Sequence, residues 1–219
     1  MRRHISIAVI TGIFAVLFSS SAFAQSGSLY GLSLDESAIL VRVANLRSEG
    51  AASLRLGSSR LIAQEPGDVT AYLAVAADLY ILRYQGENLE FIPRQGTIYT
   101  IVAGDSDLIL LEDQAHDDPL RCQLYVYVQT AAGVSGTPLS LKTADGSTAL
   151  LENIMPGSSA AIAVNPVAIE LALFDDTGRK VSADFDPMMA RGASIAIAAR
   201  LVAGDRAEVT TRVAEIQVR

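Results

Sequence analysis

Two short blocks of this 219-residue chain carry residue types that could do chemistry, Gly104-Asp105-Ser106 and Asp113-Gln114-Ala115-His116. A serine nucleophile, a histidine that takes its proton and an aspartate that orients the histidine are the parts of nucleophilic acyl transfer. Blocks of this kind carry such a triad in serine esterases and acyltransferases. There, however, they come from distant ends of a large α/β domain, whereas here Ser106 and His116 are ten residues apart. A second Val-Ala-Gly-Asp run at 202–205 continues into Arg206 instead of Ser, so Gly-Asp reads as a turn closing a strand. No catalytic residue is assigned, and a transferase or acetyl carrier built on Ser106 and His116 stands as the alternative.

The elements that would hold these blocks are strands. Ala38–Ala44, Ala71–Val75, Leu79–Leu82 and Thr97–Val102 are short apolar runs bounded by turn residues, and the pattern returns at 124–128, 149–151, 160–164, 168–173 and 194–201. Many short strands at regular spacing predict a sandwich, not an α/β fold. The halves also repeat each other in order. Ser53-Leu-Arg-Leu56 matches Ser140-Leu-Lys-Thr143, Pro66-Gly67 matches Pro156-Gly157, and Leu73-Ala-Val75 matches Ile162-Ala-Val164. Leu79–Tyr84 parallels Ile169–Phe174, and Gly96 matches Gly192. The expected architecture is therefore all-β: two tandem Ig-like β-sandwiches at 28–112 and 121–219, joined by an acidic linker at 113–120. The tail from Ala207 would add a last edge strand or a short helix.

Residues 1–24 form a basic start, a short apolar run and an Ala22-Phe23-Ala24 end, the pattern of a secretory signal peptide cleaved between Ala24 and Gln25. Cleavage removes Arg2 and Arg3, leaving 15 basic residues against 24 acidic ones, a net charge of −9. That surface repels nucleic acid and polyanions unless a local basic patch overrides it. No later stretch is apolar enough to insert in a membrane.

No phosphate-cradling loop and no histidine cluster for a metal are present, and no cofactor is expected. The Asp-rich segments 105–107 and 112–118 offer oxygen ligands but match no calcium-loop spacing. Cys122 has no disulfide partner and alternates onto an apolar strand face, where it acts as a small hydrophobe. Its neighbours Tyr125 and Tyr127 fall on the opposite face, an exposed pair that would suit a polysaccharide-binding module. Alternation likewise turns Arg42 outward, either as an interface cation or as an ordinary solvent-facing one.

Several blocks carry a family resemblance: Leu29-Tyr30-Gly31, Val41-Arg42-Val43, Leu110-Leu-Glu-Asp113, Leu141-Lys-Thr-Ala-Asp-Gly146, Asn165-Pro-Val167 and Leu171-Ala-Leu-Phe-Asp175. In this order the chain resembles the AlgF proteins of bacterial alginate biosynthesis. The resemblance implies a periplasmic protein of a Gram-negative bacterium, required for O-acetylation of alginate, a polyuronate exopolysaccharide. It further implies an adaptor, without a catalytic centre of its own, between periplasmic and membrane-bound alginate acetyltransferases of SGNH-like type. Tyr30, Arg42, Lys142 and Asn165, from these blocks, are the candidate partner contacts. Direct contact with alginate is disfavoured by the acidic charge.

Overall fold

The computed structural model describes residues 38–214 and 216–217, so Ala24, Gln25 and Tyr30 lie outside the described residues. These residues contain sixteen strands and no helix. In the first half they are β1 (Ile39–Asn45), β2 (Ala52–Leu56), β3 (Ser59–Ala63), β4 (Tyr72–Val75), β5 (Tyr80–Tyr84), β6 (Glu87–Phe91), β7 (Ile98–Ala103) and β8 (Leu108–Asp113). The second half holds β9 (Cys122–Thr130), β10 (Leu139–Thr143), β11 (Ala149–Ile154), β12 (Ser158–Val164), β13 (Leu171–Phe174), β14 (Ser194–Val202), β15 (Arg206–Val213) and β16 (Ile216–Gln217).

The duplication seen in the sequence is a duplication of topology. One sheet of the first half runs β4-β1-β7-β8, and one of the second runs β12-β9-β14-β15. In both, the first strand is antiparallel to an edge strand and parallel to the third, which turns back into the fourth. A second layer covers each sheet: the hairpins β2-β3 and β5-β6 in the first half, and β11-β10-β13 in the second. The short β16 leaves its own half and pairs with β4 of the first.

Facing residues keep their side across most of the repeat. Ala52 and Leu54 point into the first core as Leu139 and Leu141 point into the second, and Leu73 and Val75 do as Ile162 and Val164 do. The match of Leu79–Tyr84 with Ile169–Phe174 does not survive. Leu82 and Tyr84 point inward in β5, but Leu171 and Leu173 do in β13, so the two runs are out of step by an odd number of residues. A one-residue slip turns a whole strand inside out, and burial overrides likeness of composition.

The two sandwiches stack back to back. Strands β1 and β9 are buried on both sides. Val41 and Val43 face one core, Leu124 and Val126 the other, and the opposite faces bring Ala44, Leu46 and Val102 against Tyr125, Tyr127, Ala196 and Ala198. The layers therefore run hairpin pair, inner sheet, inner sheet, outer sheet.

The contact is pseudo-symmetric. Gly67, in the Pro-Gly turn before β4, packs on Thr210 of β15, while Gly157, in the matching turn before β12, packs on Ile109 of β8. Each unit thus presents the same turn to the fourth strand of the other, the arrangement of a closed two-fold dimer made within one chain. Arg212 of β15 also donates to Asp68 beside that first turn at 2.8 Å.

Candidate functional site

The triad suggested by spacing does not assemble. Ser106 is exposed in the turn between β7 and β8, whereas Asp113 is the last residue of β8. Five residue steps along a strand separate Leu108 from Asp113, about 17 Å at ~3.3 Å per residue, so Ser106 and His116 stand at opposite ends of β8. His116 is buried, and its Nδ1 lies 3.3 Å from Ser194 Oγ, itself buried on β14. That serine–histidine contact has no path to a substrate, because both side chains are inside the protein.

The Gly-Asp-Ser turn is a clamp. Asp105 accepts hydrogen bonds from the Ser48 amide at 2.6 Å and the Ser48 hydroxyl at 2.7 Å. The amide of Ala132, in the second half, reaches it at 3.4 Å. Burial opposes the charged form of Asp105, but these donors outweigh it and hold the carboxyl below its ordinary range. Asp107 accepts from Gln129 Nε2 of β9 at 3.2 Å.

The segment expected as a solvated acidic linker is pinned at three points instead. Asp113 belongs to a strand and is buried, Tyr125 Oη donates to the Gln114 carbonyl at 2.6 Å, and His116 is fixed by Ser194.

The largest departure is Arg42. Expected on the outward face of its strand, as an interface cation or a solvent-facing one, it is 0% exposed, and Tyr125 and Tyr127, expected as an exposed pair, are 2% and 0% exposed. The outward face of β1 is real, but the inner sheet of the second unit covers it. Arg42 Nε donates to Thr100 Oγ1 at 2.9 Å and Nη2 to Tyr127 Oη at 2.6 Å. Asp113 accepts from Tyr72 Oη at 2.8 Å, Thr100 Oγ1 at 2.5 Å and Tyr127 Oη at 2.7 Å. Because the Thr100 and Tyr127 hydroxyls each spend their one proton on Asp113, their oxygens are left to accept from Arg42. The guanidinium stands 3.6 Å from Asp113 Oδ2 and 4.2 Å from the centre of the Tyr72 ring, with Tyr125 and Tyr127 each at 5.4 Å.

Such a buried ion is tolerable because it is paired, hydrogen-bonded and faced by aromatic rings. Burial alone would lower the Arg42 pKa; Tyr127, Tyr72 and Asp113 outweigh it and hold the group charged above its ordinary value. Burial also pushes the Tyr72 and Tyr127 phenols well above theirs, against the pull of Arg42. The network is a junction between sandwiches and is closed to ligands. One signal for it was in the chain: both faces of 39–44 and 122–128 are almost free of charge, the mark of a strand covered on both sides.

The remaining candidates lie apart from it. Lys142 is half-buried on β10, with its Nζ 5.5 Å above the Phe174 ring. Asn165 is exposed just past the end of β12. Among the described residues no group of three or more His, Cys, Asp or Glu side chains is placed to hold a metal ion.

The family described as Alginate O-acetyl transferase AlgF matches residues 13–196. An alginate biosynthesis protein AlgF of Pseudomonas aeruginosa is 29% identical over 205 residues, covering 87% of this chain and 86% of that protein. Its counterpart in Azotobacter vinelandii is 29% identical over 196 residues with the same coverage. Among solved structures, the C-terminal domain of AlgF from P. aeruginosa aligns with 43% of this chain and 98% of its own length, at 26% identity and a TM-score of 0.35.

Proposed function

The chain belongs to the AlgF family of alginate biosynthesis proteins, and from that premise we propose that it is a non-catalytic adaptor of alginate O-acetylation. In this reading it is exported to the periplasm and links the membrane-bound and periplasmic acetyltransferase components, which handle the acetyl group themselves.

The observation that supports it best is the back-to-back stack. The two inner sheets bury their outward faces in each other, which leaves one outer layer on either side of a single body. Three layer spacings of ~10 Å set these faces roughly 30 Å apart. A protein so built offers two separate docking faces in a constant relation. The separation of Ser106 from His116 removes the motive for a triad within the chain.

The test pairs a pull-down with a chemical assay. The full chain and a Ser106→Ala/His116→Ala variant are passed over purified alginate acetyltransferase components, and both are supplied to cells lacking the native protein. The expected result is partner binding by both and acetylated alginate from both. Binding without acetylation, in a variant that remains folded, would assign the acetyl group to this chain; failure of the native chain to bind any component would end the adaptor reading.

A further inference from the structure

The outer layer of the first unit, formed by the β2-β3 and β5-β6 hairpins, carries a basic cluster on an otherwise acidic chain. Arg55 on β2 and Arg60 on β3 are directly opposite each other in the antiparallel register, and both are exposed. Arg83, exposed on β5, lines the same groove of about 740 Å³. Like charges set directly across a strand pair are destabilising. None of the three forms an ion pair among the described residues; seven other basic side chains do, while Arg47, Lys142, Arg191 and Arg206 also lack one but stand apart from one another, so that what distinguishes the row is its clustering. In a chain with 24 acidic and 17 basic residues, carboxylates to neutralise such a row are not scarce. Arg60 Nε instead donates to the Ser53 hydroxyl at 2.7 Å. The one carboxylate lining the groove, Asp78, accepts from its neighbouring Leu79 amide at 2.7 Å.

Apolar side chains share this face. Leu79 and Ile81 are each 50% exposed, and both line the groove. Ile62, 37% exposed, stands opposite Ser53 beside the arginines. Arginine is enriched at protein interfaces, and the half-exposed aliphatic side chains beside it would gain from being covered. A hydrated polyuronate would satisfy the guanidiniums but would gain nothing from two half-exposed aliphatic chains, and the only aromatic ring lining the groove, Tyr80, is half-buried and packed on the core.

We propose that the Arg55–Arg60–Arg83 row, with Leu79 and Ile81, is a docking face for an acidic protein partner, whose clustered Asp and Glu side chains neutralise the arginines while its apolar side chains cover the aliphatic pair. The inference rests on the adaptor reading and assigns one of the two outer faces to a partner of stated chemistry. The matching face of the second unit differs: Lys142 stands where Arg55 does in the repeat, and it lies over Phe174. The two outer faces therefore differ in the basic groups they present.

The test uses the full chain with purified alginate acetyltransferase components, by biolayer interferometry at low and moderate salt. Oligouronate and a neutral oligosaccharide of equal length run beside them. The native chain is expected to bind a component with affinity that falls as salt rises. Reversal of the row (Arg55→Glu/Arg60→Glu/Arg83→Glu) is expected to weaken it by ~10-fold or more, as for desolvated interface charges. Ile81→Asp should weaken it too, and circular dichroism should find both variants folded. If the reversed row binds every component as tightly as the native chain, this face is not the dock and the adaptor reading stands. If oligouronate binds, loses affinity on reversal and competes with no protein, the row is a saccharide site and the proposal falls. If the native chain binds no component, both readings fall.

Discussion

Arg42 and Tyr127 lie 85 residues apart in different sandwiches, and the Arg42 Nη2 atom donates to Tyr127 Oη at 2.6 Å. This bond, together with the shared carboxylate of Asp113, makes one body of two duplicated units. Its consequences are measurable.

Removing the cation should be costly. Arg42→Ala leaves Asp113 buried without its counter-charge, a loss of about 3–5 kcal/mol. Tyr127→Phe keeps the ring but deprives Asp113 Oδ1 of a donor and Arg42 Nη2 of an acceptor, a loss of about 1–3 kcal/mol. Because both act on one network, the double variant should cost less than the sum. Urea unfolding of the four proteins checks this, and strict additivity would sink the idea that the junction works as a unit.

Alkaline stability follows from the same residues. The Tyr72 and Tyr127 phenols are raised by burial, so below about pH 10 both folded and unfolded chains hold those protons and the junction is at full strength. Above it the unfolded chain loses them first, and stability should fall as pH climbs towards the folded values, on the order of 1.4 kcal/mol per pH unit for each tyrosine. In an ultraviolet titration the two should ionise only as the fold is lost. Reversible ionisation of all the tyrosines near pH 10 in the folded state would contradict the burial.

The two pseudo-symmetric glycines should respond unequally. A methyl group at Gly67 would overlap Thr210 Oγ1 and stand 2.8 Å from its Cβ, at a backbone φ of +85°. At Gly157 the nearest atom, Ile109 Cδ1, is 3.4 Å away, at φ +77°. Gly157→Ala should therefore cost about 1–2 kcal/mol for the left-handed backbone. Gly67→Ala should cost an additional ~1–3 kcal/mol from overpacking. Thr210→Ala should recover only the share due to the hydroxyl, because the Cβ it keeps still stands 2.8 Å from the new methyl. Thermal melts of the variants decide it, and equal losses at both glycines would refute the close contact.

Burial pushes the Cys122 thiol up to about 11. A disulfide exchange reagent at pH 8 should leave it untouched in the folded chain and modify it on unfolding, since the thiolate is the reactive form. Rapid labelling of the native protein would show the strand to be open.

Much of the architecture was legible in the chain. Short apolar runs bounded by turn residues at 38–44, 97–102, 124–128 and 194–201 marked four of the strands that form the inner sheets, and the collinear repeat exposed the duplication. Less regular strands escaped. In Leu108–Asp113 the apolar run ends in Glu and Asp, so its polar end reads as linker, although Asp113 is buried. The Gly-Asp-Ser and Asp-x-x-His blocks shared a neighbourhood in sequence, and an extended strand then separated them. Closeness along the chain implies closeness in space only when the intervening segment turns back.

What the sequence determined by itself was local: strand periods, Pro-Gly turns, the repeat and the family. Alternation sorts residues onto two sides of a strand, but it does not say what covers either side. That Arg42, Tyr125 and Tyr127 face the other unit instead of water, and that Arg55, Arg60 and Arg83 converge on an open face, depended on contacts between segments tens of residues apart. Only the tertiary structure decided these, because burial is a property of what packs against a face, and a single strand cannot encode its partner.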